Sequence, residues 1–243
     1  MISIFWKEVN SFFSSLIGYV VIGIFLLMLG LLLWVFPDTS ILSYNYASLD
    51  QLFEIAPIIF LFLIPAITMR TFSEENQNGT IELLITKPLT EMNVILGKFF
   101  ASLFLVILTL LPTLIYYLSV YQLGSPKGNL DQGSIFGSYI GLILLSTVFV
   151  SIGVFASSIS NNQIVSFLLS LFLSFCVYTG FEFISKVPVF VGKIDDLISQ
   201  FGIQYHYESI SRGILDSRDV IYFLSVTAFF CILTKLMLEK RNW

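Results

Sequence analysis

The residues that could do chemistry in this chain do not occur in the combinations that chemistry requires. His206 is the only histidine, and neither HExxH nor CxxC occurs, so the sequence offers no metal-ligand pattern. The pairs Gly97-Lys98 and Gly192-Lys193 lack the upstream glycine and the following Ser or Thr of a phosphate-binding loop. No histidine or lysine stands near the serines of the apolar runs to activate them as nucleophiles: Ser146, Ser151, Ser166, Ser170 and Ser174. We therefore expect no catalytic, cofactor-binding or metal site in this chain.

The elements that position such residues must be membrane helices, because the composition does not suit a soluble globule. Of the 243 residues, 56% are hydrophobic, only 12% are charged and 25 are phenylalanine. A soluble domain carries about 25% charged residues, which keep its surface wetted. The net charge of −4 gives no polyanion-binding signal. A soluble enzyme, a disordered chain and a nucleic-acid-binding protein are therefore excluded.

Six apolar runs approach the roughly 20 residues that a helix needs to cross a bilayer. We predict an all-α integral membrane protein with one transmembrane domain over residues 1–243 and spans at 16–36, 52–69, 99–121, 135–159, 164–181 and 220–238. Pro57 and Pro65 lie inside the second run and predict kinks, and Pro112 lies inside the third run. No charged residue lies near the centre of a span, which counts against a proton pump, an ion-coupled carrier and an intramembrane protease.

The lysines and arginines favour one orientation of these spans. An even number of spans places both termini on the same side, and basic residues accumulate on the cytoplasmic side. With both termini cytoplasmic, five basic residues lie outside and seven lie inside: Lys7, Arg70, Lys87, Lys98, Lys235, Lys240 and Arg241. We therefore expect both termini to be cytoplasmic.

The segment before the first span has the pattern of an interfacial helix. Its apolar residues recur at i, i+3, i+4 and i+7, with Ser3, Lys7 and Asn10 on the opposite face. Such a helix, over residues 1–13, lies in the membrane plane. The alternative is a plain extension of the first span.

Three glycines open the fourth span at a spacing that allows close helix contact. Gly133, Gly137 and Gly141 form a GxxxGxxxG ridge, and small residues at this spacing let helix backbones approach each other. The ridge packs either within this subunit or against another subunit, and the motif alone leaves both alternatives open.

The polar segment 70–98 between the second and third spans contains turn and cap residues. Gly79 permits a sharp turn after one helix, Thr80 can cap the next with Glu82 in its first turn, and Pro88 ends that helix. Thr90 can then cap a helix that leads into the third span. The segment thus predicts a short helix across the cytoplasmic face, held between two membrane helices.

These residues resemble the pattern of ABC-2 type transporter permeases, E-x(3)-GT-x-E-x-L-(x)-(K/R)-P-(x)-GK. The chain carries it as Glu75, Gly79, Thr80, Glu82, Leu83, Leu84, Lys87, Pro88, Gly97 and Lys98. A second stretch, residues 206–223, is similar to the family's segment before the last span and contains Arg212, Gly213, Asp216, Arg218 and Asp219. With the six spans, the resemblance covers nearly the whole chain and is greatest to the permeases of gliding-motility transporters.

The resemblance implies a subunit without enzyme activity in a bacterial inner membrane. ATP and Mg²⁺ would be bound by a partner ATPase of the GldA type, and a second membrane subunit of the GldG type would carry a large outside domain. The coupling residues would be Glu75, Gly79, Thr80, Glu82, Leu83, Leu84 and Pro88, with Gly97 and Lys98 anchoring the third span at the interface. The alternative is a membrane scaffold that moves no substrate.

The outside loop 182–219 predicts two short amphipathic helices. Ile194, Leu197, Ile198 and Phe201 recur at helical spacing, Gly202 interrupts them, and a second stretch includes Ile210 and Ile214. The pair either dips into the membrane, where protein must cover its backbone, or lies on the surface. We expect local ion pairs that fix the start of the sixth span among Arg212, Asp216, Arg218 and Asp219.

Overall fold

The computed structural model describes residues 1–44, 46–80, 90–190 and 192–241, apart from the side chains of residues 44 and 241, and no strand occurs in these ranges. Twelve α-helices are present there: α1 (Ile2–Ser14), α2 (Leu16–Trp34), α3 (Asp50–Thr68), α4 (Ser73–Gln77), α5 (Glu91–Leu110), α6 (Leu114–Leu123), α7 (Gln132–Ile159), α8 (Gln163–Phe175), α9 (Phe181–Ser185), α10 (Asp195–Ser199), α11 (Ile203–Ser211) and α12 (Ser217–Arg241). The predicted all-α class is confirmed.

Six helical stretches of the described chain are long and apolar enough to cross a membrane. They are Leu16–Trp34, Asp50–Gln77, Glu91–Leu123, Gln132–Ile159, Gln163–Ser185 and Ser217–Lys240. The six predicted spans are therefore present in the predicted order. Most helices begin before the apolar run does, because a polar cap starts them: Thr90 accepts from the Asn93 amide, and Asp131 accepts from the Ser134 amide.

The third and fifth spans are interrupted, whereas the second is continuous in spite of its prolines. A 3₁₀ turn at Leu111–Thr113 surrounds Pro112, which removes a backbone donor there. A π turn at Cys176–Gly180 joins α8 to α9. Pro57 and Pro65 both lie inside α3, which runs unbroken from Asp50 to Thr68.

α7 is the central helix of the bundle and packs on α3, α5, α8, α11 and α12. Its closest approach to α3 is at Gly153, where an added Cβ would lie 2.0 Å from Oγ1 of Thr68. A side chain at this position would separate the two helices. The residues of α3 and α7 are mostly buried, whereas most of those in α2 and α12 are not.

The molecule has two faces. The terminal face carries α1, α4 and the α7–α8 junction, where Asn76 Nδ2 donates to the carbonyl of Ser160. The hairpin face carries the segment 124–131 and α9–α11, where Ser134 donates to the carbonyl of Arg212.

α1 is a separate helix, so the alternative of an extended first span is wrong. Ser15 has extended backbone angles (φ −99°, ψ 140°) and its hydroxyl accepts from the Gly18 amide, which ends α1 and starts α2. On α1, Ile4, Val9 and Phe12 are buried against the bundle, whereas Ile2 and Trp6 are exposed.

Candidate functional site

The corner between α3 and α4 on the terminal face is held by one side chain of α7. The Ser157 hydroxyl accepts from the amides of Phe72 (2.9 Å) and Ser73 (3.0 Å) and donates to the Met69 carbonyl (3.1 Å). Amides at the start of a helix have no partner within the helix. Ser157, which is fully buried, supplies that partner and fixes the start of α4 against the bundle.

The end of α4 is a turn that requires glycine. Gly79 has φ +67°, with no atom near the position of an added Cβ, so its backbone angle and not its small size is what the turn needs. The amide of Thr80 donates to the Glu75 carbonyl (3.0 Å) and that of Gly79 to the Asn76 carbonyl (3.4 Å). This is the Schellman pattern of a helix end. Gly79 thus makes the predicted turn.

Thr80, which we expected to cap the following helix, closes α4. Its hydroxyl and its amide both donate to the Glu75 carbonyl. The predicted short helix itself, with Glu82, Leu83, Leu84 and Pro88, lies outside the described residues.

A buried ammonium group joins three helices next to this turn. Lys98 of α5 has a side chain with 0% exposure, and its Nζ lies 2.8 Å from Oε1 of Glu8 and 3.0 Å from Oε2 of Glu75. It also donates to the Thr71 carbonyl and lies 4.8 Å from the centre of the Phe72 ring. A buried charge persists only when opposite charges and hydrogen bonds surround it, and Lys98 has both.

Lys7 of α1 completes a terminal-face charge cluster of Lys7, Glu8, Glu75 and Lys98. Its Nζ lies 2.6 Å from Oε1 of Glu75 and 3.8 Å from Oε1 of Glu8. Partial burial lowers the pKa of Lys7, but the hydrogen bond from Lys7 to Glu75, together with the negative charges of Glu75 and Glu8, raises this pKa overall. Two ammonium groups therefore face two carboxylates, and the cluster is neutral.

This arrangement encloses two residues whose roles were expected from the sequence. Lys98 was expected to anchor the third span at the membrane interface, but its ammonium group is enclosed by protein. Glu75 was expected among the coupling residues; it is 8% exposed, and its carboxylate is held by two lysines. The reason is that α1 folds over both residues. Sequence reasoning did not find Glu8, whose only signal was a charge inside an apolar amphipathic segment.

Gly97 lets α1 approach α5. An added Cβ would lie 3.1 Å from Cβ of Ile4 and 3.1 Å from the carbonyl oxygen of Met1. Gly97 therefore allows the close packing of α1 that brings Lys7 and Glu8 to the cluster.

On the hairpin face, the glycine ridge of α7 packs within the chain. An added Cβ at Gly141 would lie 2.5 Å from Cγ2 of Ile210, and one at Gly137 would lie 2.9 Å from the carbonyl oxygen of Gly213. Gly213 has φ +82°, and a Cβ there would lie 2.3 Å from Cα of Ser134. Gly133 is different, because only the side chain of Asp131 lies near it. Of the two alternatives for the ridge, Gly137 and Gly141 therefore follow the internal one.

The two helices of the outside loop are present and have different environments. In α11, Ile203 and Ile210 are fully buried, and the Tyr207 hydroxyl donates to the Phe53 carbonyl (2.7 Å). α10 has no buried residue. Protein therefore covers one face of α11, whereas α10 buries no residue against the bundle. Ile214, expected in the second helix, lies beyond its end and is exposed.

The start of the sixth span is not fixed by the expected ion pairs. In the described ranges, neither Arg212 nor Arg218 has a carboxylate oxygen within 4 Å. Asp219 faces inward and lies 2.7 Å from Nδ1 of His206, while Asp216 accepts from the Arg218 amide (2.9 Å). Asp219 therefore contacts a histidine, and Asp216 caps the start of α12.

Six long apolar helices, with short helices at both faces, define the chain as a multi-pass membrane protein. No curated protein matches it at a significant level. The family model described as "ABC-2 family transporter protein" matches residues 2–238. The chain belongs to the ABC-2 transporter family and is of the membrane permease type, which works with an ABC ATPase and is not the ATPase itself.

Proposed function

We propose that this chain couples ATP hydrolysis by a separate ATPase subunit to transport, or to mechanical work, across a bacterial inner membrane. ATP and Mg²⁺ are bound by that partner, and the terminal face is cytoplasmic. The observation that carries the proposal is the terminal-face charge cluster, because it ties both ends of segment 78–90 to the same rigid unit.

A movement of segment 78–90 would be transmitted to the helix bundle through both ends of the segment. At one end, Gly79 leads from α4, which Ser157 fixes to α7. At the other end, Thr90 caps α5, which carries Lys98. A partner drives a motion only if its contacts differ between two states. In this proposal, Glu82, Leu83 and Leu84 make those contacts and Pro88 ends the helix that carries them.

The finer assignment is to gliding motility and rests on the resemblance of segment 75–98 and of residues 206–223 to the permease GldF. The partners are then a GldA-like ATPase and a GldG-like membrane subunit with a large outside domain. With a second permease half, the core would have twelve spans. The alternative is a scaffold of an envelope machine that transports nothing.

Affinity purification of the chain from native membranes, followed by mass spectrometry, tests the coupled assembly. We expect a stoichiometric P-loop ATPase and a second membrane subunit. If the chain arrives alone or only with envelope proteins, the scaffold alternative replaces the proposal.

Glu82→Gln tests the coupling role in the same complex. We expect it to lower ATP-dependent function while the amount of protein in the membrane is unchanged, because only a partner contact is lost. Glu74→Gln is the matched control, since Glu74 lies on α4 and pairs with Arg70 (3.3 Å). Loss of membrane insertion in Glu82→Gln, or equal effects of the two variants, would contradict the coupling role.

A further inference from the structure

A cavity of about 800 Å³ opens on the hairpin face between α3, the π turn and α11. Ligand pockets in proteins have volumes of about 300 to 1,000 Å³, so this cavity is large enough for a small organic molecule. It lies on the opposite face from the terminal-face charge cluster. None of the residues discussed for coupling lines it.

The walls of the cavity are acidic. Asp50, Glu54 and Glu208 line it, and Arg212 is the one basic residue among the lining residues that are described. No Lys, Arg or His nitrogen of the described chain lies within 4 Å of these three carboxylates. No basic side chain of the described residues therefore pairs directly with these three carboxylates.

A tyrosine in the same wall has a hydroxyl without a hydrogen-bond partner among the described residues. Tyr178 is 8% exposed and its ring packs edge-on against Phe149, with 5.8 Å between the ring centres. Its hydroxyl makes no hydrogen bond within the described residues, and Tyr178 borders the cavity, where a ligand can reach it. The contrast is Tyr207 in the same wall, whose hydroxyl donates to the Phe53 carbonyl.

The cavity suits an organic cation better than a metal ion. In the described chain, no group of three or more His, Cys, Asp or Glu side chains is close enough to hold a metal ion. The carboxylates are spread around a cavity whose walls also contain aromatic rings, and such rings attract organic cations through their faces. We propose that this cavity binds a protonated amine, with Asp50, Glu54 and Glu208 supplying negative charge and the Tyr178 hydroxyl accepting an N–H hydrogen bond.

That this ligand is the cargo rests on the proposed transport function, whereas the binding itself needs no ATPase. The test therefore uses the purified full chain in lipid nanodiscs, titrated with spermidine at low salt by isothermal calorimetry. We expect Glu54→Gln and Glu208→Gln each to weaken binding about threefold to fivefold, the usual worth of a partly exposed ion pair. Arg212→Gln has the opposite sign and should tighten binding, because it removes the competing positive charge.

Asp196→Asn is the matched control for charge. Asp196 lies on the same face, is exposed and does not line the cavity, so its substitution should leave the affinity unchanged. Equal weakening by Asp196→Asn would mean that spermidine responds only to the overall charge of this face. Absence of binding to the unchanged protein would also overturn the proposal.

Tyr178→Phe separates hydrogen bonding from charge. It should weaken binding of spermidine, which has N–H donors, and leave tetramethylammonium, which has none, unaffected. If both probes respond equally, the hydroxyl is not a ligand contact. Thermal unfolding of every variant shows whether the fold is kept. A failure of these titrations would leave the ATPase partnership standing, and a failure to purify an ATPase would leave the binding result standing.

Discussion

A single hydroxyl group on α7 holds the connection between α3 and α4 in place through hydrogen bonds. Ser157 accepts two hydrogen bonds from backbone amides and donates one to a backbone carbonyl, all across at least 84 residues of sequence. Neighbouring Ser158 is equally buried but donates only to the Phe155 carbonyl of its own helix. The two serines therefore differ in function although the sequence does not distinguish them.

Ser157→Ala should destabilise the protein by about 1 to 3 kcal/mol, because the Phe72 and Ser73 amides lose their partner while they remain buried. Thermal unfolding in detergent measures this loss. Ser158→Ala is the matched control and should change the unfolding temperature much less. Equal shifts for the two variants would contradict the role assigned to Ser157.

At this scale the sequence predicted residue types better than it predicted contacts. Lys98 was recognised as a charge at the end of a span, but its partners Glu8 and Glu75 are far away in the sequence. Their meeting depends on how α1 folds over α5, which no local pattern encodes. Gly79 was predictable, because a positive φ after a helix is a local property.

At the scale of elements, α4 is a five-residue helix whose two ends are defined by different means. Its start depends on Ser157 from another helix, and its end depends on the turn at Gly79. The six spans could be predicted because apolar length alone marks them. The position of α11 could not, because it depends on Gly137 and Gly141 meeting Ile210 and Gly213.

Gly79→Ala should impair the direction in which the chain leaves α4. A left-handed backbone conformation costs about 1 to 2 kcal/mol for a residue with a Cβ, and asparagine tolerates it better than alanine. We therefore expect Gly79→Ala to reduce ATP-dependent function of the complex and Gly79→Asn to retain most of it. Because no atom lies near the added Cβ, a defect that increases with side-chain size would contradict this explanation.

At the scale of the whole molecule, the two faces are built differently. The terminal face holds the charge cluster and α4, whereas the hairpin face holds α10, α11 and the acidic cavity. Helix count and the two faces were accessible from hydropathy and charge. The cavity was not, because its wall combines residues from α3, the π turn and α11.

The proposed orientation, with the terminal face cytoplasmic, predicts which side a reagent can reach. In intact spheroplasts, a membrane-impermeant maleimide should label Asp196→Cys, because residue 196 is exposed on the hairpin face. It should label Ser11→Cys, exposed on α1, only after permeabilisation. The unchanged protein is the control, since Cys231 is buried and Cys176 lies inside a span. The reverse pattern would place the terminal face outside.

The order in which the ribosome synthesises the chain determines when the charge cluster can form. All four charges lie between residues 7 and 98, so Glu8 and Glu75 have already been synthesised when Lys98 emerges. The nascent chain can thus neutralise Lys98 as the third span enters the membrane. The hydrogen bond from Tyr207 to Phe53 forms later, because the two residues are 154 positions apart in the sequence. The charge cluster can therefore form as soon as Lys98 has been synthesised, whereas the contact of α11 with α3 must wait for Tyr207.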